Sequence, residues 1–127
     1  MKVIFAGSRT IPPWVGDELA EMAGRIAHLR CWTITEIVYG GARGMDECGR
    51  RWAERHGVPF KKFAADWSQG KKAGLLRNIE MAEYADALIA VTAGTPGTRH
   101  MIQTARRRKL PMIVIATSGR EWIAEAA

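Results

Sequence analysis

The sequence predicts a doubly wound α/β domain: a Rossmann-like three-layer sandwich whose five-stranded parallel sheet runs in the order 3-2-1-4-5. Short apolar runs alternate with helix-spaced segments through five repeats, the pattern that right-handed crossovers onto one parallel sheet require. Glycine-rich turns follow the first, second and fourth runs, at the sheet edge where such folds collect ligands. A length of 127 residues suits one core, so residues 1–127 are read as a single domain.

Lys2 to Ala6 is a bounded apolar run ending at Gly7, which reads as a buried strand. Pro12 and Pro13 open a helix in which Val15, Leu19, Met22, Ile26 and Leu29 recur at steps of four and three. Glu36 to Tyr39 forms the second strand, and Met45, Cys48 and Trp52 mark a helix that stops at Gly57. Val58 to Ala64 is the third strand, with Pro59, Lys61 and Lys62 suiting a sheet edge. After a polar stretch from Asp66 to Lys72, Leu75, Ile79, Met81 and Ala82 indicate a helix, and Ala87 to Val91 is the most apolar strand. A helix through Met101, Ile102 and Ala105 leads past Pro111 to the strand Met112 to Ala116. Glu121 to Ala127 is expected to add a last helical turn or two.

Composition excludes several classes. Apolar residues make up 47% and charged residues 25%, ordinary values that argue against disorder or a disulfide scaffold. No run approaches the ~18 apolar residues of a membrane span, and Gly7, Ser8 and Arg9 arrive too early for a signal peptide, so a cytoplasmic protein without membrane partners is expected. Cys31 and Cys48 lack any CxxC partner and are read as buried small apolar groups. His28, His56 and His100 share no ligand spacing and are read as solvated or helix-end residues, so neither a metal nor a cofactor is expected. The excess of 19 Lys and Arg over 13 Asp and Glu favours anionic partners.

Three turns carry the chemistry. Gly7-Ser8-Arg9 offers close backbone approach, a hydroxyl and a guanidinium fork, and is otherwise a plain turn. Gly40-Gly41-Ala42-Arg43-Gly44-Met45-Asp46 feeds a helix N-terminus, a place for an anion. It matches neither a dinucleotide fingerprint nor a Walker phosphate loop. Asp46 has two readings, a first-turn residue complementing the helix dipole or an acceptor for ribose hydroxyls. Gly94-Thr95-Pro96-Gly97-Thr98 repeats the device after the fourth strand, although Thr98 alone would pass for a helix cap. Of the scattered tryptophans, most read as packing residues. Trp67 lies with Asp66 in the loop after the third strand, where a base could stack. The run Arg106 to Lys109 reads as a solvated helix end, with nucleic-acid contact as its alternative.

Taken together, VIFAGSRT at 3–10, YGGARGMDECGRRWAERHGVPF at 39–60, ADWSQGKKAGLLRNIEMAEYADALIAV at 65–91 and GTPGTRHMI at 94–102 resemble the YspA-type SLOG proteins. These are small bacterial and phage Rossmann-like domains related to the LOG phosphoribohydrolases and to the DNA-processing protein DprA. The resemblance implies a site for a nucleotide or nucleotide-derived ligand formed by Gly7 to Arg9, Gly40 to Gly44 and Gly94 to Thr98. It also brings in Arg77 and Asn78, which look like the family's helix-start arginine motif, and it implies a homodimer.

Enzymatic activity is where the sequence departs from these relatives. The LOG motif PGGxGTxxE supplies a glutamate, and aligning its GT with Gly97-Thr98 puts Met101 at that position. A thioether transfers no proton. The remaining catalytic candidates are Arg77, Asp46 and Glu80, for N-glycosidic hydrolysis of a nucleoside monophosphate. Binding of a nucleotide as sensor or sequestering module is the leading expectation. Hydrolysis and DprA-like binding of single-stranded DNA are its alternatives.

Overall fold

The computed structural model describes residues 1–42, 44–118 and 121–126, with residues 118 and 121–126 described as backbone. Its elements are β1 (Lys2–Gly7), α1 (Pro13–Leu29), β2 (Glu36–Tyr39), α2 (Met45–Arg55), β3 (Phe60–Lys62), α3 (Ala73–Tyr84), β4 (Ala87–Thr92), α4 (Pro96–Arg107), β5 (Met112–Ser118) and β6 (Glu121–Ala126). A 3-10 segment, Trp67–Lys72, precedes α3. The strands form one sheet in the order β3-β2-β1-β4-β5-β6. The first five are parallel, as the alternation of strand and helix predicts.

Side chains alternate across the pleat and so build two cores. Val3, Phe5, Ile37, Ile89 and Ile113 face α1 and α2, while Ile4, Val38, Leu88, Ala90 and Met112 face α3 and α4. In α1 the buried face runs through Leu19, Ala20, Ala23 and Ala27, and Leu29 at the helix end is exposed. The small alanines permit close approach, so the buried stripe is rotated from the one that the larger side chains suggest.

Four expectations change. Glu121–Ala126 is a strand rather than a helix, antiparallel to β5 with Ser118 opposite Glu121. Six residues are too few to hold a helix without tertiary support, whereas the open edge of β5 supplies backbone partners. The third strand is shorter than expected, because Pro59 has no N–H to donate and the exposed lysines end the pairing with the four-residue β2. Cys31 is exposed at φ 61 immediately after α1, a position that follows a helix end rather than entering the core, while Cys48 is buried as expected. Trp14 is exposed too, so it is not a packing residue.

Candidate functional site

The strand order reverses between β1 and β4, and a cavity of about 430 Å³ opens at their C-terminal ends. Its walls come from the turn after β1, the β2–α2 loop, the start of α3 with the preceding 3-10 segment, and the first turn of α4. These segments are brought together by the topology, since each follows a strand or opens a crossover helix.

Ser8 fixes one wall. Its hydroxyl accepts the N–H of Ala93 at 2.8 Å and lies 2.8 Å from the Thr95 hydroxyl, which is in turn 3.2 Å from that of Thr98. Ser8 is buried and does not line the cavity, so its hydroxyl is committed to holding the β4–α4 turn. Thr95 precedes α4 without capping it by a side-chain hydrogen bond, and Pro96 follows. The first-turn N–H groups therefore keep their capacity for an anion, with Thr95, Gly97 and Thr98 on the cavity wall.

Asp46 fixes the opposite wall from the first turn of α2. Its carboxyl group is buried and accepts the Ala42 N–H at 3.3 Å. Burial pushes its pKa up to about 6, against the opposing pull of backbone N–H groups from Ala42, Gly7 and Gly40 and of the Arg77 charge. Both sequence readings of Asp46 meet here: it sits in a helix first turn, and it faces the cavity. The loop reaches it through Gly44, whose φ of 75 and whose place 2.7 Å from the Ser8 carbonyl oxygen, measured from where a Cβ would stand, exclude a side chain.

Arg77 and Asn78 come from the second turn of α3. The guanidinium donates to the Gly40 carbonyl at 2.8 Å and to the Asn78 side-chain oxygen at 3.3 Å. It lies flat against Gly40, where a Cβ would stand 2.5 Å from Nη1. Burial lowers its pKa, with the Asp46 carboxylate opposing and the Arg9 charge adding to the shift. Asn78 is buried and its amide donates to the Gly97 carbonyl at 3.4 Å and to His100 Nδ1 at 3.1 Å. His100 is thus engaged rather than solvated, and burial together with Arg107 holds its pKa below the usual imidazole value.

The structure brings Gly7, Arg9, Ala42, Asp46, Trp67, Arg77, Asn78, Thr95, Gly97 and Thr98 to the cavity wall. Gly40, Gly41, Gly44 and Gly94 shape the loops behind it, and Arg43 lies outside the described residues. Asp66 is not on the wall: its carboxylate caps the 3-10 segment, accepting from the Ser68 N–H at 3.1 Å and from Gln69 at 3.3 Å. Glu80 is exposed on α3, away from the cavity, whereas Met101 is buried in its wall. Lys71, Thr10 and Leu75 also line it; each lies inside a segment that carries the family resemblance, 3–10 or 65–91, but none stands out there by residue type.

The resulting chemistry is anionic recognition beside an apolar surface. Arg9, Lys71 and Arg77 supply cations, and Asp46 is the one carboxylate on the wall among the described residues. Trp67, 60% exposed, presents an aromatic face at the rim. Among the described residues no cluster of three or more His, Cys, Asp or Glu side chains could hold a metal, and no helix is long and apolar enough to cross a membrane. The basic run Arg106 to Arg108 is exposed at the far end of α4, about 8–11 Å along the helix from Met101 on the cavity wall.

Three comparisons bear on this arrangement. Residues 1–70 match the model of a family described as YspA, cpYpsA-related SLOG. Gene 61 protein of Mycobacterium phage D29 is 44% identical over 85 residues, covering 61% of this chain and 68% of that protein. DNA processing protein A from Helicobacter pylori, described for its unique single-stranded DNA binding mode, superposes with a TM-score of 0.64 at 17% identity. The match covers 96% of this chain and 68% of that one.

Proposed function

The chain belongs to the YspA, cpYpsA-related SLOG family, and on this basis we propose that it binds a nucleotide or nucleotide-derived molecule in the cavity at the C-terminal edge of its sheet. One observation carries the reading: an uncapped α4 N-terminus and the Arg9 and Arg77 guanidinium groups face one cavity at the strand-order reversal. Phosphate sits against Gly97 and Thr98 with the cations around it, ribose hydroxyls reach Asp46 or Asn78, and the base stacks on Trp67. The domain then acts as a sensor or sequestering module. Thermal denaturation with a panel of nucleoside mono-, di- and triphosphates tests it, because a ligand at a hundredfold excess over its Kd stabilises by about 2.7 kcal/mol. A panel that moves the melting temperature nowhere, with no small molecule released from the denatured protein, overturns it.

A second reading is N-glycosidic hydrolysis, favoured by Asp46, a cavity carboxyl with a pKa of about 6 that is able to exchange a proton near neutrality. Release of free base from nucleoside monophosphates, lost in Asp46→Asn, supports it. No release from any of them excludes it. Met101 in the wall weighs against a LOG-like route, since it offers neither charge nor proton.

Binding of single-stranded DNA is the third reading, motivated by the fold shared with DNA processing protein A and by the net charge of +6. It requires affinity that falls steeply with salt and weakens when Arg106, Arg107 and Arg108 are neutralised. None of the three lines the cavity, which separates this test from the nucleotide panel.

A further inference from the structure

We propose that His100, which stands behind the cavity wall and not on it, is a positioning residue for Arg77, that only its neutral imidazole serves in this way, and that acid therefore loosens the site. The inference rests on the reading of the cavity as an anion site with Arg77 on its wall, and it goes beyond that reading to what governs the arginine.

A chain of hydrogen bonds runs from α4 to the end of β2. Thr104 Oγ1 is 3.5 Å from His100 Nε2, and His100 Nδ1 is 3.1 Å from the Asn78 amide nitrogen. Asn78 Oδ1 accepts from Arg77 Nε at 3.3 Å, and Arg77 Nη1 donates to the Gly40 carbonyl at 2.8 Å. The Asn78 nitrogen also donates to the Gly97 carbonyl at 3.4 Å. Two partners fix which way this amide points. An arginine Nε–H only donates and so needs the amide oxygen, while a peptide carbonyl only accepts and so needs the amide nitrogen. His100 Nδ1 consequently faces an N–H and has to accept it, which leaves the ring proton on Nε2, toward the Thr104 hydroxyl. Arg77 Nη2 makes no hydrogen bond among the described residues. A guanidinium held at two of its nitrogens presents the third to a ligand in a fixed direction.

A proton on Nδ1 breaks this order. N–H would then face N–H, and turning the Asn78 amide over to relieve the clash sets its nitrogen against Arg77 Nε–H and its oxygen against the Gly97 carbonyl. Either way the amide no longer holds Arg77 as firmly. The surroundings also oppose the charge: Arg107 lies on the same helix, Arg77 lies across Asn78 on α3, and Ile4, Ala6, Leu88 and Ala90 of β1 and β4, which face these two helices, carry no titratable group. No carboxylate pairs with the ring among the described residues. The sign of the effect is distinctive. An imidazolium acting by charge alone would draw an anionic ligand in, whereas lost positioning lets it go.

Two measurements on the full chain test it. Proton–nitrogen NMR of the ligand-free protein is expected to show the Nε2–H tautomer at His100 near neutral pH, together with an Arg77 Nε–H signal, identified by its absence from Arg77→Lys, that fades in step with protonation of the imidazole. In His100→Asn, whose Oδ1 takes the place of Nδ1 and does not titrate, that signal should persist. The second measurement is affinity for the nucleotide that stabilises most in the thermal panel, in wild type and in His100→Asn. The two should agree at about one pH unit above the imidazole midpoint, and at about one unit below it the variant should bind at least about threefold more tightly. Asp46 and the ligand phosphates titrate in both proteins, so this ratio isolates His100. His100→Leu, which offers no acceptor, should bind more weakly than His100→Asn at both pH values. An Nδ1–H or charged ring near neutral pH, an Arg77 signal indifferent to the state of His100, or an affinity ratio that stays at unity or favours wild type in acid overturns the proposal. A chain that binds no nucleotide counts against the earlier reading instead, and the tautomer and the Arg77 signal still decide this one.

Discussion

The Ser8 hydroxyl stands 2.8 Å from the Thr95 hydroxyl, 87 residues away in sequence, while accepting the Ala93 N–H. A single small side chain at the end of β1 thus anchors the turn that launches α4. Ser8→Ala leaves that amide without its acceptor, at an expected cost of about 1–3 kcal/mol in urea unfolding. Ligand affinity should fall along with stability, because Thr95 loses its anchor. An unchanged denaturation midpoint would show that the turn holds itself.

Arg77→Ala removes the guanidinium that bridges Gly40 and Asn78 at the cavity wall. Titration calorimetry with a nucleotide found to bind should show affinity lower by about tenfold or more, as befits a charge-assisted hydrogen bond. Arg77→Lys should recover only part of the loss, since an ammonium cannot bond both groups in one plane. Equal affinity in all three proteins would remove Arg77 from the site.

Trp67→Ala distinguishes base from phosphate recognition. Loss of stacking should cost about 1–3 kcal/mol of binding for a nucleotide and leave competition by inorganic pyrophosphate unchanged. If both ligands weaken together, the tryptophan organises the rim instead of reading a base.

Asp46 gives stability a recognisable pH dependence. Its folded pKa of about 6 lies above its ordinary value of 3.8, so the folded chain binds the proton more tightly than the unfolded chain does. The contribution of this group is therefore most favourable below pH 4 and is lost as pH rises through about 6, a change of ~3 kcal/mol. Asp46→Asn has no such titration, so the difference in unfolding free energy between wild type and variant should vary across pH 4 to 6.5. A pH-independent difference would place the carboxyl in contact with water.

Gly44→Ala should destabilise by at least about 1–2 kcal/mol, because φ is 75 and the new methyl group would press on the Ser8 carbonyl. Chemical denaturation measures it. Gly57→Ala serves as a control, sharing a positive φ of 66 but meeting no neighbour within 4 Å.

The glycine-rich turns were legible because glycine and proline punctuate the chain wherever backbone must bend. Once the strand order is known, those turns necessarily meet at one edge. What pattern could not reveal is how each side chain is employed. Ser8 and Asp66 look like ligand contacts by type and position, yet each spends its oxygen on a neighbouring turn. Lys71 and Leu75 reach the wall only through the pitch of the 3-10 segment and the start of α3. The final strand was illegible for a related reason: Glu121–Ala126 has helix-forming composition, and the open edge that recruits it belongs to another part of the chain.

The central pairing of β1 with β4 has a kinetic consequence. Val3 lies opposite Ala87, so the middle of the sheet closes only after a loop of more than eighty residues has been drawn together. The strands to either side close far shorter loops, and a chain in which only β1, β2 and β3 have paired holds α1 and α2 and hence only part of the helical signal. It would still lack the α4 turn that Ser8 secures. Ligand capture followed during refolding should consequently lag behind the recovery of helical signal and report the moment at which the two halves of the domain meet.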